Sequence, residues 1–344
     1  MKGSSKWGEQ AGATALVCGG GGFIGNHAVT YLKKLGFRVR VADIKRPEFS
    51  ESLADEFSLV DLRSPSATET LFSDCQYDLV LQLAANMGGA DFIFTGAQDF
   101  EIMNDSALIN INVSNAAVRH PPGCLFYSSS ACVYPEHNQM DPDNPNCAES
   151  SAYPAAPDSE YGWEKIFSER LYLAAARNHG LNARIARFHN IFGPEGTWRG
   201  GREKAPAAIC RKVASAEDGG NIEIYGDGLQ TRSFLYIDEC LNGIRLLCEN
   251  DINEPINIGS DEMVTIRQMA EIVIGLSGKS LAIKSIDGPL GVRGRNSDNR
   301  LIHQRTSWRP SQALHIGLAS TYSWIADQVV AAASSNLISG EGGA

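Results

Sequence analysis

Short apolar runs alternate with amphipathic stretches along the first 190 residues of the chain, and this alternation is its main structural signal. The apolar runs predict short buried strands over 13–18, 37–43, 79–83, 124–128 and 183–188. The stretches between them predict helices from the glycines after the first run to Leu35, over 99–118 and over 160–178. Strands and helices that alternate in this way form βαβ units, so the sequence predicts an α/β fold with a doubly wound parallel sheet.

Glycine-rich stretches interrupt the chain after about Phe192, and the elements there become shorter. Loops of this kind suit a region that approaches a ligand closely, so we expect a smaller C-terminal substrate-binding lobe with a cleft between the two parts. The predicted domains are 13–190 with returning segments near 231–260, and 191–330 for the second lobe. Residues 1–12 and 332–344 are predicted to be flexible tails.

Composition and charge argue against several classes of protein. The net charge of −10 disfavours general nucleic-acid binding, which needs a basic field. No apolar run reaches the roughly 18 residues of a membrane span. The first apolar stretch is too short for a secretory signal, so we expect a cytoplasmic protein. None of the eight cysteines forms a C-x-x-C pair, so no metal site is predicted.

The turn after the first predicted strand carries G-x-x-G-x-x-G, formed by Gly19, Gly22 and Gly25. Glycines at this spacing allow a tight turn, close approach of the backbone to a pyrophosphate, and close packing of helix on strand, which is typical of the Rossmann dinucleotide-binding fold. Asp43 ends the next strand, where a carboxylate binds ribose hydroxyls and repels a 2′-phosphate. The sequence therefore predicts NAD as cofactor, although the Lys-Arg pair that follows weakens the preference over NADP.

Tyr161 and Lys165 lie four positions apart in YGWEK, and therefore on one face of a predicted helix. Lys165 is expected to stabilise the phenolate of Tyr161 and to lower the pKa of that side chain. Ser130 is expected to complete a proton relay to a substrate alcohol. The alternative is a surface tyrosine beside a solvated lysine. Cys132 follows in SSSACVYP, either as a small apolar filler or as a reacting thiol.

Four motifs together resemble the extended short-chain dehydrogenase/reductase superfamily: GGGGFIG, LAAN, SSSACVYP and YGWEK. Its members include nucleotide-sugar epimerases and dehydratases, which oxidise a sugar C4 hydroxyl with bound NAD, act on the ketone and usually reduce it again. Longer strings, among them MGGADFIF, RFHNIFGPEGTWRGGREKAPAAICRK and YGDGLQTRSFLYIDEC, resemble the family of GDP-mannose 3,5-epimerases of the plant ascorbate pathway. That resemblance runs from about Leu16 to Trp324. Asn86 departs from it, because an aspartate is expected before MGG, and the 135–150 loop and both ends differ as well.

The resemblance implies a role for each matching residue. Cys132 and Lys204 are the implied acid–base pair on opposite faces of the sugar, with Tyr161, Lys165 and Ser130 serving the redox step. The implied cofactor contacts are Gly19, Gly22, Phe23, Ile24, Gly25, Asp43, Asp61, Leu83, Ala84, Ala85, Tyr161 and Lys165. The implied substrate contacts are Gly88, Ser130, Ala131, Cys132, Asn190, Glu203, Lys204, Ala205, Lys212, Gln230, Thr231, Arg232 and Arg295. Three of these, Lys212, Arg232 and Arg295, are expected on glycine-rich loops, as cations for a diphosphate.

The expected function is epimerisation of GDP-mannose at C3 and C5 through a transient 4-keto sugar, giving GDP-L-galactose and GDP-L-gulose. One alternative is inversion at C5 alone, or action on a related nucleotide sugar. Another is a non-catalytic NAD-binding protein. A homodimer is expected by resemblance. Trp198 either lines the sugar pocket or covers the core, His189 receives no role, and the other seven cysteines are expected to be structural.

Overall fold

The computed structural model describes residues 12–289 and 291–340 of the chain. Its strands are β1 (Thr14–Cys18), β2 (Arg38–Asp43), β3 (Glu56–Leu59), β4 (Leu79–Gln82), β5 (Cys124–Ser130), β6 (Ala183–Phe188), β7 (Ile191–Phe192), β8 (Asn221–Tyr225), β9 (Thr231–Ser233), β10 (Leu235–Tyr236), β11 (Ile256–Ile258), β12 (Met263–Thr265), β13 (Ala282–Ile286) and β14 (Gly294–Arg295). Its α-helices are α1 (Phe23–Lys34), α2 (Pro65–Ser73), α3 (Ala90–Ile93), α4 (Asp99–Arg119), α5 (Glu160–His179), α6 (Ala205–Ser215), α7 (Ile237–Glu249), α8 (Ile266–Ser277), α9 (Arg300–Thr306) and α10 (Leu314–Gly340). The five strands and three helices predicted from the hydrophobic pattern are all present.

Seven parallel strands form the central sheet in the order β11–β6–β5–β4–β1–β2–β3. The chain moves from β1 outward through β2 to β3, then crosses to β4 on the other side of β1 and continues outward. The order of strands thus reverses between β1 and β4, and ligands of doubly wound sheets bind at such a reversal, beyond the carboxyl ends of the strands. The predicted α/β fold is confirmed.

Among the elements of the sheet region that the sequence did not predict are β3 and α2. β3 is an edge strand whose residues are only partly buried, so it lacks an apolar run. α2 is nine residues long and has a start signal that was available: Ser64 is its N-cap and accepts from the amide of Ala67, with Pro65 at the first helical position. The signal was overlooked because only a few of its residues are apolar.

The second part of the chain has its own apolar core, which packs α6, α8 and α10 around the two-stranded sheet of β8 and β13. Part of the chain returns to the central sheet, because β11 pairs with β6 and residues of α7 pack in the core beneath it. A three-stranded sheet, β12–β9–β14, connects the two regions. We keep the predicted two-domain division and its boundaries as a proposal.

α10 continues to Gly340, so it includes most of the segment 332–344, whose flexibility stays a prediction. Val329 and Ala332 are partly buried against the second core, so the helix continues from a packed stretch. Residues 1–11 and 341–344 lie outside the described part of the chain. No helix within 12–289 and 291–340 has the length and apolar character of a membrane span.

Candidate active site

The glycine turn after β1 is shaped by backbone contacts that only glycine allows. Gly19 has φ +87°, and a Cβ at Gly25 would lie 2.1 Å from the carbonyl oxygen of Gly19. A Cβ at Gly22 would make only an ordinary contact, 3.4 Å from that same oxygen. Packing inside the protein therefore explains why residue 25 is a glycine. It does not explain Gly22, the N-cap of α1, where the lack of a side chain leaves room for close approach by a pyrophosphate. The turn fits a dinucleotide.

Asp43 lies at the carboxyl end of β2, beside this turn. Its carboxylate accepts from the amide of Gly21 at 2.8 Å and from the amide of Lys45 at 3.1 Å. Arg46, the second basic residue considered for NADP, places its guanidinium 4.8 Å from the centre of the Phe57 ring. This stacking engages Arg46 and leaves Asp43 as the group nearest the turn, as NAD binding requires.

Asp61 is paired differently from what the sequence implied. Its carboxylate accepts from the backbone amide and the guanidinium of Arg63, at 2.8 to 3.1 Å. Arg63 also donates to Asp105, and Asp105 accepts from the side-chain amide of Asn86 at 3.2 Å. A contact between Asp61 and the adenosine half of a cofactor stays a prediction.

A cavity of about 320 Å³ opens at the carboxyl ends of β4, β5 and β6, between the sheet and the second part of the chain. All implied substrate contacts except Thr231 line it: Gly88, Ser130, Ala131, Cys132, Asn190, Glu203, Lys204, Ala205, Lys212, Gln230, Arg232 and Arg295. So do five of the implied cofactor contacts: Ile24, Leu83, Ala85, Tyr161 and Lys165. The remaining cofactor residues, Gly19, Gly22, Phe23, Gly25, Asp43, Asp61 and Ala84, lie outside this cavity, as does Thr231, whose hydroxyl donates to the carbonyl of Pro142.

Tyr161 and Lys165 are both buried on α5, so the alternative of a surface tyrosine beside a solvated lysine is wrong. The Lys165 ammonium donates to the carbonyl of Ser128 at 2.9 Å and lies 5.5 Å from the centre of the Tyr161 ring. The pKa of Tyr161 is nevertheless raised, contrary to the prediction, because burial and then the nearby Cys132 outweigh a hydrogen bond from Ser130. Burial likewise lowers the pKa of Lys165, because it disfavours the ammonium form.

Cys132 follows the end of β5, where Ser130 accepts from the amide of Cys132 at 3.2 Å and starts a short 3-10 turn. Its thiol is 8% exposed and lines the cavity, so it is accessible from the side where a substrate binds. The guanidinium Nη1 of Arg295 lies 3.1 Å from the sulfur. The resemblance implies Arg295 as a substrate contact and does not predict this contact with the thiol.

Lys204 is the N-cap of α6, and its side chain makes no hydrogen bond to the part of the chain that the structure describes. Burial lowers its pKa, and Cys132 is the first charged neighbour that opposes this. A lysine in this place is costly, because the helix N-terminus also repels a cation. Its position on the cavity wall points to a role inside the cavity, which explains why this cost is tolerated. A solvated surface lysine would offer no such explanation.

The three cations expected on glycine-rich loops lie instead on regular elements, so that expectation is wrong. Lys212 is on α6 and donates to the carbonyl of Glu223 at 2.6 Å. Arg232 is on β9 and donates to the carbonyls of Thr231 and Val292. Its pKa is lowered to about 9 by burial and then by Arg295, which lies on β14. Glycines precede these residues in sequence, but the cations themselves are fixed by strand and helix backbone.

The segment after β4 contacts the segment before α6 beside the cavity. Arg202 stacks its guanidinium 4.1 Å from the centre of the Phe92 ring, and a Cβ at Gly89 would lie 2.1 Å from the carbonyl oxygen of Glu203. Gly89 and Glu203 both line the cavity. Glu203 itself is paired with Arg211 at 2.8 Å.

Asp158 and Gln139 are functional candidates that sequence reasoning missed. Both contact Arg295, Asp158 through a 3.2 Å ion pair and Gln139 through its side-chain oxygen. They lie 137 and 156 residues from Arg295 in sequence, and no local motif connects them. Only the sequence position of Asp158 next to Ser159, the N-cap of α5, marked it as close to the YGWEK helix.

The structure resolves three smaller questions. Trp198 packs in the second core and does not line the cavity. His189 is buried against Asn257, and burial lowers its pKa to about 3. The remaining seven cysteines are free thiols, and six of them are buried; Cys75 is partly exposed.

Comparison with known proteins agrees with this geometry. Residues 15–259 match the model of the NAD dependent epimerase/dehydratase family. The chain is 46% identical to GDP-mannose 3,5-epimerase of Arabidopsis thaliana, over 91% of this chain and 82% of the relative. It is 45% identical to GDP-mannose 3,5-epimerase 1 of Oryza sativa subsp. japonica, over the same shares of the two chains.

Solved structures share the fold at lower identity. UDP-glucose 4-epimerase from Thermotoga maritima, solved with UDP-glucose, has a TM-score of 0.81 at 24% identity, covering 92% of this chain and 99% of its own. UDP-glucose 4-epimerase from Thermus thermophilus, solved with NAD, has a TM-score of 0.79 at 23% identity, covering 91% and 98%. Together with the family match, these findings confirm the resemblance seen in the sequence: the chain belongs to the NAD-dependent epimerase/dehydratase family.

Proposed function

We propose that this enzyme inverts C3 and C5 of GDP-mannose through a transient 4-keto sugar, giving GDP-L-galactose and, where only C5 is inverted, GDP-L-gulose. The observation on which the proposal rests is that Cys132 and Lys204 line the same cavity as Tyr161 and Ser130. Inversion at C4 alone needs no second acid–base pair, whereas inversion at the carbons flanking a ketone does. The 46% identical relative that is named a GDP-mannose 3,5-epimerase supports the same substrate.

Bound NAD supplies the hydride acceptor and donor for the sugar C4. Tyr161 takes the proton from the C4 hydroxyl and later returns it, and Ser130, which lowers the pKa of Tyr161, stabilises its phenolate. Lys165, held by the Ser128 carbonyl, adds a positive charge 5.5 Å from the centre of the ring. Burial raises the pKa of Tyr161, so a positive charge near the phenol, such as that of an oxidised nicotinamide, would favour its phenolate.

Cys132 and Lys204 move protons at the carbons beside the ketone. A 4-keto group makes the hydrogens at C3 and C5 acidic, so the Cys132 thiolate takes one proton and the Lys204 ammonium delivers one to the opposite face. The lowered pKa of Lys204 makes it a better proton donor than a solvated lysine. The nucleotide diphosphate is proposed to lie near Lys212 and Arg232, the other cations on the cavity wall.

Product analysis in deuterated water tests the function. GDP-mannose is incubated with the enzyme and the products are resolved by NMR, with UDP-glucose as the control substrate for a 4-epimerase. Deuterium at both C3 and C5 together with GDP-L-galactose is the expected result. Deuterium at C5 alone with GDP-L-gulose would establish the C5-only alternative. A turnover of UDP-glucose without any turnover of GDP-mannose would contradict the proposal.

We also propose a homodimer, formed through α4 and α5. Both helices expose large apolar side chains, among them Phe100 on α4 and Phe167 on α5, and an interface formed by these helices would bury such side chains. Light scattering during gel filtration is expected to give twice the chain mass, and Phe100→Glu to give the chain mass. A part in ascorbate biosynthesis is a proposal that rests on the sequence resemblance, and the cytoplasmic location stays a prediction.

A further inference from the structure

Arg295 is held in one orientation by three contacts around its guanidinium. Nε donates to the side-chain oxygen of Gln139, Nη1 lies 3.1 Å from the sulfur of Cys132, and Nη2 lies 3.2 Å from a carboxylate oxygen of Asp158. The group is planar, so contacts at three of its edges fix both its position and its plane. All three partners lie more than 130 residues from Arg295 in sequence.

The thiol of Cys132 faces several charged groups. Arg295 on β14 touches it, and Arg232 on β9, Lys204 at the start of α6 and Lys165 on α5 are close enough to interact electrostatically, as is the phenol of Tyr161. Asp158 is the carboxylate that holds Arg295 within this set. Because Cys132 must become a thiolate to act as a base, the placement of the nearest cation governs how readily it reacts.

Asp158 connects this cation to the start of the catalytic helix. Its side chain is only 6% exposed, one carboxylate oxygen accepts from Arg295, and the other accepts from the hydroxyl of Ser159. Ser159 caps α5 by accepting from the amide of Gly162, where a Cβ would lie 2.3 Å from the carbonyl oxygen of Cys132. Through these contacts Asp158 joins the guanidinium to the helix that presents Tyr161.

We propose that Asp158 is a positioning residue, which acts through Arg295 to keep the guanidinium against the sulfur of Cys132 and so favours its thiolate. The proposal deepens the proposed function, because that thiolate is the base in the epimerisation. A purely electrostatic role for Asp158 predicts the opposite effect. A carboxylate repels a nearby thiolate, so if Asp158 did not position Arg295, its loss would make Cys132 more reactive.

Alkylation of Cys132 tests this without any sugar nucleotide. Purified enzyme is treated with iodoacetamide over a range of pH, and the modified Cys132 peptide is followed by mass spectrometry, which separates it from the other thiols. Asp158→Ala frees Nη2, so we expect alkylation at pH 7 to slow by about fivefold to tenfold and its midpoint to move to higher pH. Asp158→Asn keeps the accepting oxygen and removes the charge, so it should react at least as fast as the wild type. Arg295→Gln should slow alkylation by about tenfold or more.

The matched control is Asp227→Ala. Asp227 pairs at 3.0 Å with Arg293, which lies on the same segment of the chain as Arg295. Asp227 itself is exposed and does not line the cavity. Its removal should leave alkylation unchanged. Should Asp158→Ala fail to fold, as judged by thermal unfolding, Asp158→Ser serves instead, because its hydroxyl is too short to reach Arg295.

Two results would overturn the proposal. Faster alkylation in both Asp158→Ala and Asp158→Asn would mean that Asp158 acts only as a repelling charge. Unchanged alkylation in Arg295→Gln would mean that the guanidinium does not stabilise the thiolate. Neither result depends on GDP-mannose, so a failure of this proposal and a failure of the proposed function are read from separate experiments.

Discussion

The glycine turn after β1 and the cavity around Cys132 lie at the same edge of the central sheet, but they draw on the chain in different ways. The turn comes from one continuous segment, and backbone atoms form it, as the 2.1 Å approach of a Cβ at Gly25 to the Gly19 carbonyl shows. The cavity depends on side chains from β5, α5, α6, β9 and β14. A backbone turn needs only glycines at the right positions, whereas a cavity of this kind needs many separate elements to be placed correctly relative to one another. Its contacts are correspondingly sensitive to single substitutions.

Removal of the proton donor is expected to have the largest effect and to separate the two regions most sharply. Lys204→Ala should lower turnover of GDP-mannose by about 10²–10⁴-fold, the usual contribution of a general acid, while bound NAD stays at the wild-type level. Turnover is measured by NMR and NAD content by absorbance after denaturation. Cys132→Ala is the matched variant on the other face of the sugar and should fail in the same way. Wild-type deuterium exchange at C5 in Cys132→Ala would refute its role as base.

Two glycine variants address the other region. Gly25→Ala places a methyl group 2.1 Å from a carbonyl oxygen, so we expect a loss of about 1–3 kcal/mol of stability together with loss of NAD. Gly22→Ala makes an ordinary contact inside the protein and should unfold at the wild-type temperature, yet still lose NAD, because its methyl group meets the pyrophosphate. Thermal unfolding and NAD content are measured on both. Full NAD content in Gly22→Ala would contradict the proposed path of the cofactor.

The pH dependence of turnover reports on the substrate region alone. Burial lowers the pKa of Lys204 from its ordinary 10.5, and the residue must be protonated to deliver a proton. The rate should therefore fall on the alkaline side at a pH below 10.5, since a lower pKa means that the ammonium is lost earlier as pH rises. A pH–rate profile of Lys204→Arg, whose guanidinium keeps its proton throughout this range, should lack that alkaline limb at its reduced rate. An alkaline limb that persists in this variant would assign it to another group.

The smallest effect is expected at Asn86, which lies between the two regions. Its side-chain amide donates to Asp105, so Asn86→Asp would place two carboxylates about 3 Å apart, with Arg63 offsetting part of the repulsion. We expect a loss of about 1 kcal/mol in urea unfolding at pH 7 and little change in turnover. Asn86→Ala serves as the uncharged control. Destabilisation of equal size in both variants would mean that charge repulsion is not the cause.

The sequence was informative wherever neighbouring residues build a feature together. The strands of the sheet and the long helices α4 and α5 followed from hydrophobic periodicity, because burial of one face imposes it. The hydrophobic pattern did not predict β3, because its side chains at the sheet edge are mostly polar or partly exposed. It also did not predict α10, which runs through most of the segment expected to be a tail and packs on the second core before that segment.

Roles of single charged residues were harder to predict. Arg295 was expected on a glycine-rich loop as a diphosphate ligand, and the structure places it on β14 against Cys132. Lys165 was expected to lower the pKa of Tyr161, and burial raises that pKa instead. Both outcomes depend on which groups lie within a few ångströms and how deeply they are buried, and neither quantity is local in sequence.

By itself the sequence determined the α/β fold and the glycine turn, because each is written in a short stretch whose pattern has one physical reason. The residues of the two acid–base sets followed from motifs and from the family resemblance, and their roles stay a proposal. Only the tertiary structure decided that Cys132, Lys204, Tyr161 and Arg295 share one cavity, and that Asp158 and Gln139 hold the guanidinium there. Side chains more than a hundred residues apart meet because the strand order of the sheet and the return of the chain bring their elements together. Burial and charge interactions at short range stabilise these contacts, and the spacing of residues along the chain does not reveal either of them.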